Sequence, residues 1–529
     1  MLTKRLAAFI CAFALAGACV TALPEDSFFP TADAAGAVTK TEGASSDNRL
    51  TVSNSNWADT VKSYIYESSN NTVTRVEYIA SKVIVENYDM TSGKLLSSRE
   101  LKMELPIFGG FYVGENYNFL VTGQTNTEEN NDKAIIAVTR FAKDFKSSQT
   151  KILNGRNTTV PFDAGSCRMT EAQGKLYIHT CHEMYTSSDG YNHQANMSYV
   201  LNIETMKFEQ EHYKVSWPDY TGKIGDAFGY SSHSFNQFIL SDDEAVYALD
   251  HGDAYPRALR LHKYTLSDGY LSYNDLVTIP GTVGANYTGV TVGDMELSKN
   301  NVLIGVKMPD FSGGTVDKSS DRKDINIIVM PKSKVGTDTA PTIVKLTNYN
   351  SSNNTYSYNS APIMVKVNDN KFVVMWKESN GYSSSYNWNT GEWTTTEKDG
   401  VTKIATIDAN GKLIGSILES ADIALSDCDP ILCSDGMVRW YAASGAAPVI
   451  YALDPNDPAT FTSGSHVPGD VNNDGKANIK DVMLIQQYIV GWKVDVNKTY
   501  ADVNGDGNVN IRDVMLLQQS IAGWKVTIK

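Results

Sequence analysis

The chain has 529 residues, 42% of them hydrophobic and 20% charged, a globular composition too long for one hydrophobic core, so two or more domains are expected. Its formal net charge is -14, with 46 Lys and Arg against 60 Asp and Glu. The basic residues do not cluster, which excludes a phosphate-binding surface and with it nucleic acid as a partner.

Lys4 and Arg5 precede an apolar run from Leu6 to about Leu23, the pattern of an export signal rather than of a membrane anchor. Residues 1–34 are therefore expected to be removed as signal peptide and pro-region, with cleavage after Ala22 or after Ala34. Cys19 follows Gly17-Ala18 without the leucine of a lipoprotein site three residues earlier; a lipid anchor is the alternative reading. No other stretch approaches the ~18 apolar residues that a spanning helix needs. Residues 35–50 read as a linker.

From 51 to 460 the chain alternates short runs rich in Val, Ile, Tyr and Thr with turns of Gly, Asn, Asp and Ser, an all-β pattern. Similar units open near IFGGFYV at 107, RMTEAQGKLYI at 168, SFNQFIL at 234, DMELSKNNVLIGV at 294, PIMVKVNDNKFVV at 362 and PILCSDGMVRWY at 430. Within them, YDMTSGKLL from 88, YTLSDGYLS from 264 and TIDANGKLI from 406 carry the Asn-Gly, Asp-Gly and Ser-Gly turns of tight hairpins. Four-stranded units repeated in this way resemble a β-propeller of six to eight blades, in which radial stacking protects each sheet edge. Counting a partial unit at 62–101 favours seven; a pair of β-sandwiches is the structural alternative.

Export permits disulfides for the four cysteines beyond the signal. Cys167 and Cys181 flank a hairpin-like segment and either pair across neighbouring strands or stay as buried thiols; Cys428 and Cys433 also lack CxxC spacing, which speaks against structural zinc.

The most unusual local sequence is LDHGDAYPRALRLHKY at 249–264. Asp250, His251, Asp253 and Arg257 offer two carboxylates, an imidazole and a guanidinium at a strand end, and SSHSFNQF adds His233 nearby. Two carboxylates at the right separation serve acid/base cleavage of a glycosidic bond. Seven histidines fall between His179 and His262, a cluster open to metal or sugar binding or simply to satisfying strands and turns. Asp427 and Asp429 read as turn caps, and YSSSYNWNTGEW, with Tyr386, Trp388 and Trp393, reads as a sugar-stacking platform or as blade filler.

After a linker at 461–468, residues 470–494 and 502–526 repeat one another with seven mismatches in 25 positions at an offset of 502 − 470 = 32. Each copy opens with a twelve-residue, oxygen-rich loop of the EF-hand kind, its glycine permitting the turn between ligands. Asp470, Asn472, Asp474, Lys476 by its carbonyl, Asn478 through water and Asp481 form the first ligand set. Asp502, Asn504, Asp506, Asn508 by its carbonyl, Asn510 and Asp513 form the second. Aspartate rather than glutamate closes each loop. FTSGSHVPG precedes Asp470, so no helix enters the first loop and only an exit helix follows it.

A duplicated loop with exit helix at this spacing resembles the dockerin family over 469–529. The resemblance implies two bound Ca2+ ions and docking onto a cohesin of a scaffoldin, in a secreted, cellulosome-type assembly that degrades plant polysaccharide. The cohesin face it implies comprises Ile479, Lys480, Met483, Gln486 and Gln487 in the first copy, with Ile511, Arg512, Met515, Gln518 and Gln519 in the second. Many dockerins carry Ser-Thr where this chain has Ile-Lys and Ile-Arg, which leaves cohesin specificity open. Val482, Ile485, Ile489, Val514, Leu517 and Ile521 on the opposite faces are expected to be core, with Ala477 and Val509 joining the loops. The whole reads as a mainly β propeller followed by a small, α-helical, duplicated EF-hand-like dockerin. The propeller is expected to bind carbohydrate or another surface; the alternative is that it is a glycoside hydrolase or polysaccharide lyase.

Overall fold

The computed structural model describes residues 36–42, 60–69, 71–90, 94–216, 219, 221–223, 229–315, 322–349, 356–387, 392–421, 423–443, 448–456, 461–462, 469, 471, 477–492, 494, 501–504, 508–526 and 528. Strands rich in β-branched and aromatic residues build seven sheets that follow one another along the chain, antiparallel except where Gly36–Glu42 pairs parallel with Phe461–Thr462.

Blade 1 is Ser63–Ser69, Thr72–Ile79, Lys82–Asp89 and Leu95–Leu101, and blade 2 is Ile107–Val113, Tyr117–Gly123, Ala134–Ala142 and Ser148–Asn154. Blade 3 is Arg168–Ala172, Lys175–Thr186, Asn192–Asn202 and Lys207–His212, with Thr158–Pro161 added beside its long second strand. Blade 4 is Ser234–Ser241, Ala245–Asp253, Arg257–Thr265 and Tyr270–Thr278. Blade 5 is Thr291–Leu297, Asn301–Met308, Asp324–Pro331 and Thr342–Lys345. Blade 6 is Ile363–Asn368, Lys371–Ser379, Val401–Ile407 and Leu413–Ser420, and a separate ribbon, Tyr382–Asn387 with Glu392–Glu397, interrupts it between its second and third strands. That ribbon holds most of the aromatic segment flagged in the sequence; Trp388 lies outside the described residues.

Blade 7 joins the beginning and the end of the propeller. Ile431–Leu432, Val438–Ala443 and Pro448–Leu453 come from the end of the propeller, and the fourth strand is Gly36–Glu42, paired antiparallel from Val38↔Leu453 to Glu42↔Val449. The stretch expected to be a linker before residue 51 thus contains the strand that latches the ring. A ring of sheets has one seam where chain ends meet, and ladder hydrogen bonds across it remove an otherwise open edge.

From blade 2 to blade 7, first strands of consecutive blades touch one another, which places them around the axis. Their approach is close. A Cβ on Gly293 would lie 1.9 Å from the Pro362 carbonyl oxygen of the next blade, and one on Gly110 would lie 2.5 Å from that of Cys167. The cores lie between blades: Tyr88, Val373, Met375, Trp440 and Tyr441 belong to one apolar cluster, and Leu259, Leu261, Val302 and Ile304 to another. All four cysteines among the described residues are free and buried, so the disulfide reading of Cys167 and Cys181 gives way to that of core thiols; Cys181 Sγ instead donates to the Asp163 carbonyl at 2.7 Å. Among the described residues, no helix is long and apolar enough to cross a membrane.

Candidate functional site

In the tail, two helices, Ile479–Ile489 and Ile511–Ile521, follow the loops. The first N–H groups of a helix lack intrahelical partners, and here a reciprocal cap supplies them. Asn478 accepts the Lys480 N–H at 2.9 Å while Asp481 accepts the Asn478 N–H at 2.9 Å. Asn510 and Asp513 repeat this at 3.0 and 2.8 Å. Glycines in the left-handed region, Gly491 (φ 82°) and Gly523 (φ 76°), end both helices.

The other oxygen of each aspartate reaches back into its loop. Asp481 Oδ1 accepts the Val471 N–H at 2.9 Å, and Asp513 Oδ1 accepts the Asn504 N–H at 3.2 Å. Both carboxylates are buried, so the twelfth loop position ties loop to helix from inside. Asp502 and Asn504 stand partly buried beside the second helix start, with Asn508 exposed. Asp470, Asn472, Asp474, Lys476 and Asp506 lie outside the described residues.

Val482, Ile485, Val514 and Leu517 are buried with Val471, Ala501 and Val503, and Ala477 and Val509 pack against them from the two loops. Ile489 and Ile521, expected in this core, are instead 37% and 41% exposed, because each is the last helical residue before the chain turns away. On the opposite side Ile479 and Ile511 are 53% and 57% exposed. Met483 and Met515 are exposed with them, as are Lys480 and Arg512, while Gln486, Gln487, Gln518 and Gln519 are partly buried.

In the propeller, Asp250, His251 and Asp253 lie on the second strand of blade 4 and Arg257 opens the third, opposite Asp253. Strand alternation sends Asp250 and His251 to opposite faces. Asp250 accepts from Ser234 Oγ at 2.6 Å and Asn196 Nδ2 at 3.2 Å, and meets His179 Nε2 at 3.2 Å and His262 Nδ1 at 3.5 Å. Burial alone would raise its carboxyl, but the two imidazoles hold it well below the usual carboxylate range. His251 touches Thr288 Oγ1 at 3.0 Å on the blade 5 side, and burial pushes its imidazole down to about 4.

Arg257 is spent on backbone carbonyls, those of Asp253, Pro280, Ala285 and Tyr287, at 3.0, 3.2, 2.7 and 3.0 Å. It anchors the connection from blade 4 to blade 5. Both carboxylates, Asp250 and Asp253, have 0% exposure, so the four residues singled out on this strand and turn form a sealed polar seam rather than an open cleft. His233, partly exposed, holds the outer end of that seam through Asp253 Oδ1 at 3.0 Å.

A cavity of about 50 Å³ lies on the axis, lined by the starts of first strands, with Thr60, Ser166, Arg168, Asn236, Asp427 and Asp429 as its polar wall. Asp429 pairs with Arg168 and Asp427 accepts the Lys62 N–H at 2.9 Å, so these aspartates bridge blades rather than merely capping a turn. Below them, Asp294 and Glu296 of blade 5 accept the Met364 and Lys366 N–H groups of blade 6 at 2.8 and 2.9 Å, satisfying the axial edge of that strand. Burial pushes Glu296 up to about 7 and, together with the Asp429 and Glu296 charges, pushes Asp294 well up. Sequence reasoning passed over Arg168, Asp294 and Glu296. The signal was present: charges in strands that should alternate apolar residues toward neighbouring blades. Among the described residues no group of three His, Cys, Asp or Glu side chains stands together as a metal cage.

The family model of the dockerin type I domain matches residues 468–522. The tail is a dockerin type I domain. Type I dockerin domains bind calcium and pair with cohesins, and the dockerin here is joined to a seven-bladed propeller. No curated protein matches the chain. Solved structures similar to it include a Synechocystis apocarotenoid oxygenase, at 10% identity over 55% of this chain and 62% of the other, with a TM-score of 0.32. Kluyveromyces lactis Hsv2 gives 10% identity over 64% and 85%, TM-score 0.31, and a chain of a Mitotic Checkpoint Complex 10% over 82% and 97%, TM-score 0.41. The chain thus spans 62% of the length of the oxygenase, and these likenesses say nothing of its chemistry.

Proposed function

We propose that this protein is an extracellular component of a cellulosome-type assembly: exported by its N-terminal signal, docked through its calcium-loaded tail onto a cohesin of a scaffoldin, and presenting its propeller to plant polysaccharide. The observation that carries this reading is the duplicated loop and helix of the tail, each copy closed by a buried aspartate.

Two Ca2+ ions are assigned, one per loop. Asp470, Asn472, Asp474, Lys476, Asn478 and Asp481 would hold the first, and Asp502, Asn504, Asp506, Asn508, Asn510 and Asp513 the second. The donor set suits a hard cation: it is all oxygen, and Asp481 and Asp513 already draw their loop ends together. A bound ion neutralises carboxylates that otherwise repel one another and so couples binding to folding. The cohesin face is assigned to Ile479, Lys480, Met483, Gln486 and Gln487 and to Ile511, Arg512, Met515, Gln518 and Gln519, an apolar patch beside cations at each helix start.

For the propeller we favour a binding role over a glycoside hydrolase or polysaccharide lyase, because Asp250 and Asp253 are sealed from substrate. The test is to incubate the full chain with a polysaccharide panel and measure retention together with release of reducing or unsaturated ends. Retention without release is the expected outcome; release abolished by Asp250→Ala or Asp253→Ala overturns it.

A further inference from the structure

The propeller holds seven histidines, and five of them, His179, His182, His212, His251 and His262, are buried. The remaining two, His193 and His233, are partly exposed, with side chains 34% and 28% open to solvent. They come from different blades yet stand side by side, their ring centroids 6.0 Å apart and their planes inclined by 25°.

Backbone pairing enforces this meeting. Ala195 bridges Ser232, and the His233 N–H donates to the Gln194 carbonyl at 2.7 Å, which ties the segment before blade 4 to the third strand of blade 3. His233 has φ 53°, a left-handed conformation that a non-glycine residue adopts at a cost and that recurs at functional positions.

Each imidazole also has a carboxylate of its own. His193 Nε2 meets Asp189 Oδ2 at 2.7 Å, and His233 Nδ1 meets Asp253 Oδ1 at 3.0 Å. A carboxylate on one ring nitrogen fixes the proton there and leaves the other nitrogen with its lone pair, the arrangement that raises an imidazole's strength as a metal ligand. His193 Nδ1 and His233 Nε2 are the nitrogens so released.

We propose that His193 and His233 form a binding site for a borderline divalent transition metal such as Ni2+, Zn2+ or Cu2+, with Asp189 and Asp253 as positioning residues and water completing the shell. The spacing fits: with metal–nitrogen bonds of about 2.0–2.1 Å, two imidazoles on one ion have centroids roughly 5–6 Å apart. Imidazole nitrogen selects these ions over calcium, whose oxygen-rich loops lie in the dockerin, so the two kinds of site are chemically separable. Two protein ligands make an open, exchangeable site rather than a closed structural one.

The test is calorimetric titration of the full chain with Ni2+ and with Zn2+ in excess Ca2+, so that the dockerin loops are filled. One ion per chain is expected, with at least tenfold weaker binding in His193→Ala and in His233→Asn, the latter chosen because asparagine tolerates the left-handed backbone. Asp189→Asn should weaken binding about 10–100-fold if it acts through His193. Absence of binding, or binding unchanged in His193→Ala, overturns the proposal. Should His233→Asn fail to fold, the exposed His193→Ala variant decides the matter alone.

Discussion

Asp481 and Asp513 each serve two structures with one carboxylate, the helix cap and the loop closure. Asparagine keeps an oxygen for capping but removes the charge. Asp481→Asn should therefore keep the helix cap yet lose calcium in the first loop. Asp481→Ala should lose both, with a capping cost of about 1 kcal/mol. Circular dichroism and calcium calorimetry on the two variants check this; equal calcium affinity in Asp481→Asn contradicts it. In the propeller, burial lowers the His251 imidazole from its ordinary 6.5 to about 4. The unfolded chain then takes up the proton first, so stability is full above pH ~6.5 and is lost as pH falls toward ~4, on the order of 3 kcal/mol in all. His251→Gln should flatten that limb of the pH–stability curve measured by denaturant unfolding; an unchanged limb contradicts it.

At the scale of elements, the repeat was legible because short apolar strands between turn residues recur at nearly even spacing, and the starts read near 107, 168, 234, 294, 362 and 430 fall at or within three residues of Ile107, Arg168, Ser234, Thr291, Ile363 and Ile431. The latching strand was not, since Gly36–Glu42 (GAVTKTE) is short, polar and separated from its partner by most of the chain. Pairing of that kind leaves no local trace. A chain beginning at residue 51 should melt at a clearly lower temperature than one beginning at residue 35; equal melting temperatures contradict the latch. The facing seam is held by charge that the sequence also concealed. Arg75 meets Glu86 at 2.9 Å and Glu77 at 3.9 Å in blade 1, all buried, and Tyr441 of blade 7 donates to Glu77 at 2.6 Å. Removing the cation strands two buried carboxylates, so Arg75→Met should cost about 3–5 kcal/mol. Denaturant unfolding measures it, and a loss below about 1 kcal/mol contradicts the network.

At the scale of the whole molecule, the dockerin repeat and its exposed helix faces were readable because duplication and helix periodicity both leave fixed spacings. The propeller's candidate residues were readable only as unusual chemistry: Asp250, His251, Asp253 and Arg257 drew notice as charges in a strand, and burial, which no local pattern records, turned them into a seam between blades. On the proposed function the dockerin needs calcium to grip its cohesin, so the most direct test is binding of the full chain to immobilised type I cohesins with calcium, after chelation, and after calcium is returned. Binding should be lost on chelation, together with the helical signal of an isolated 461–529 fragment, and should recover with calcium. Binding that persists in chelator, or no binding to any cohesin in calcium, would contradict it.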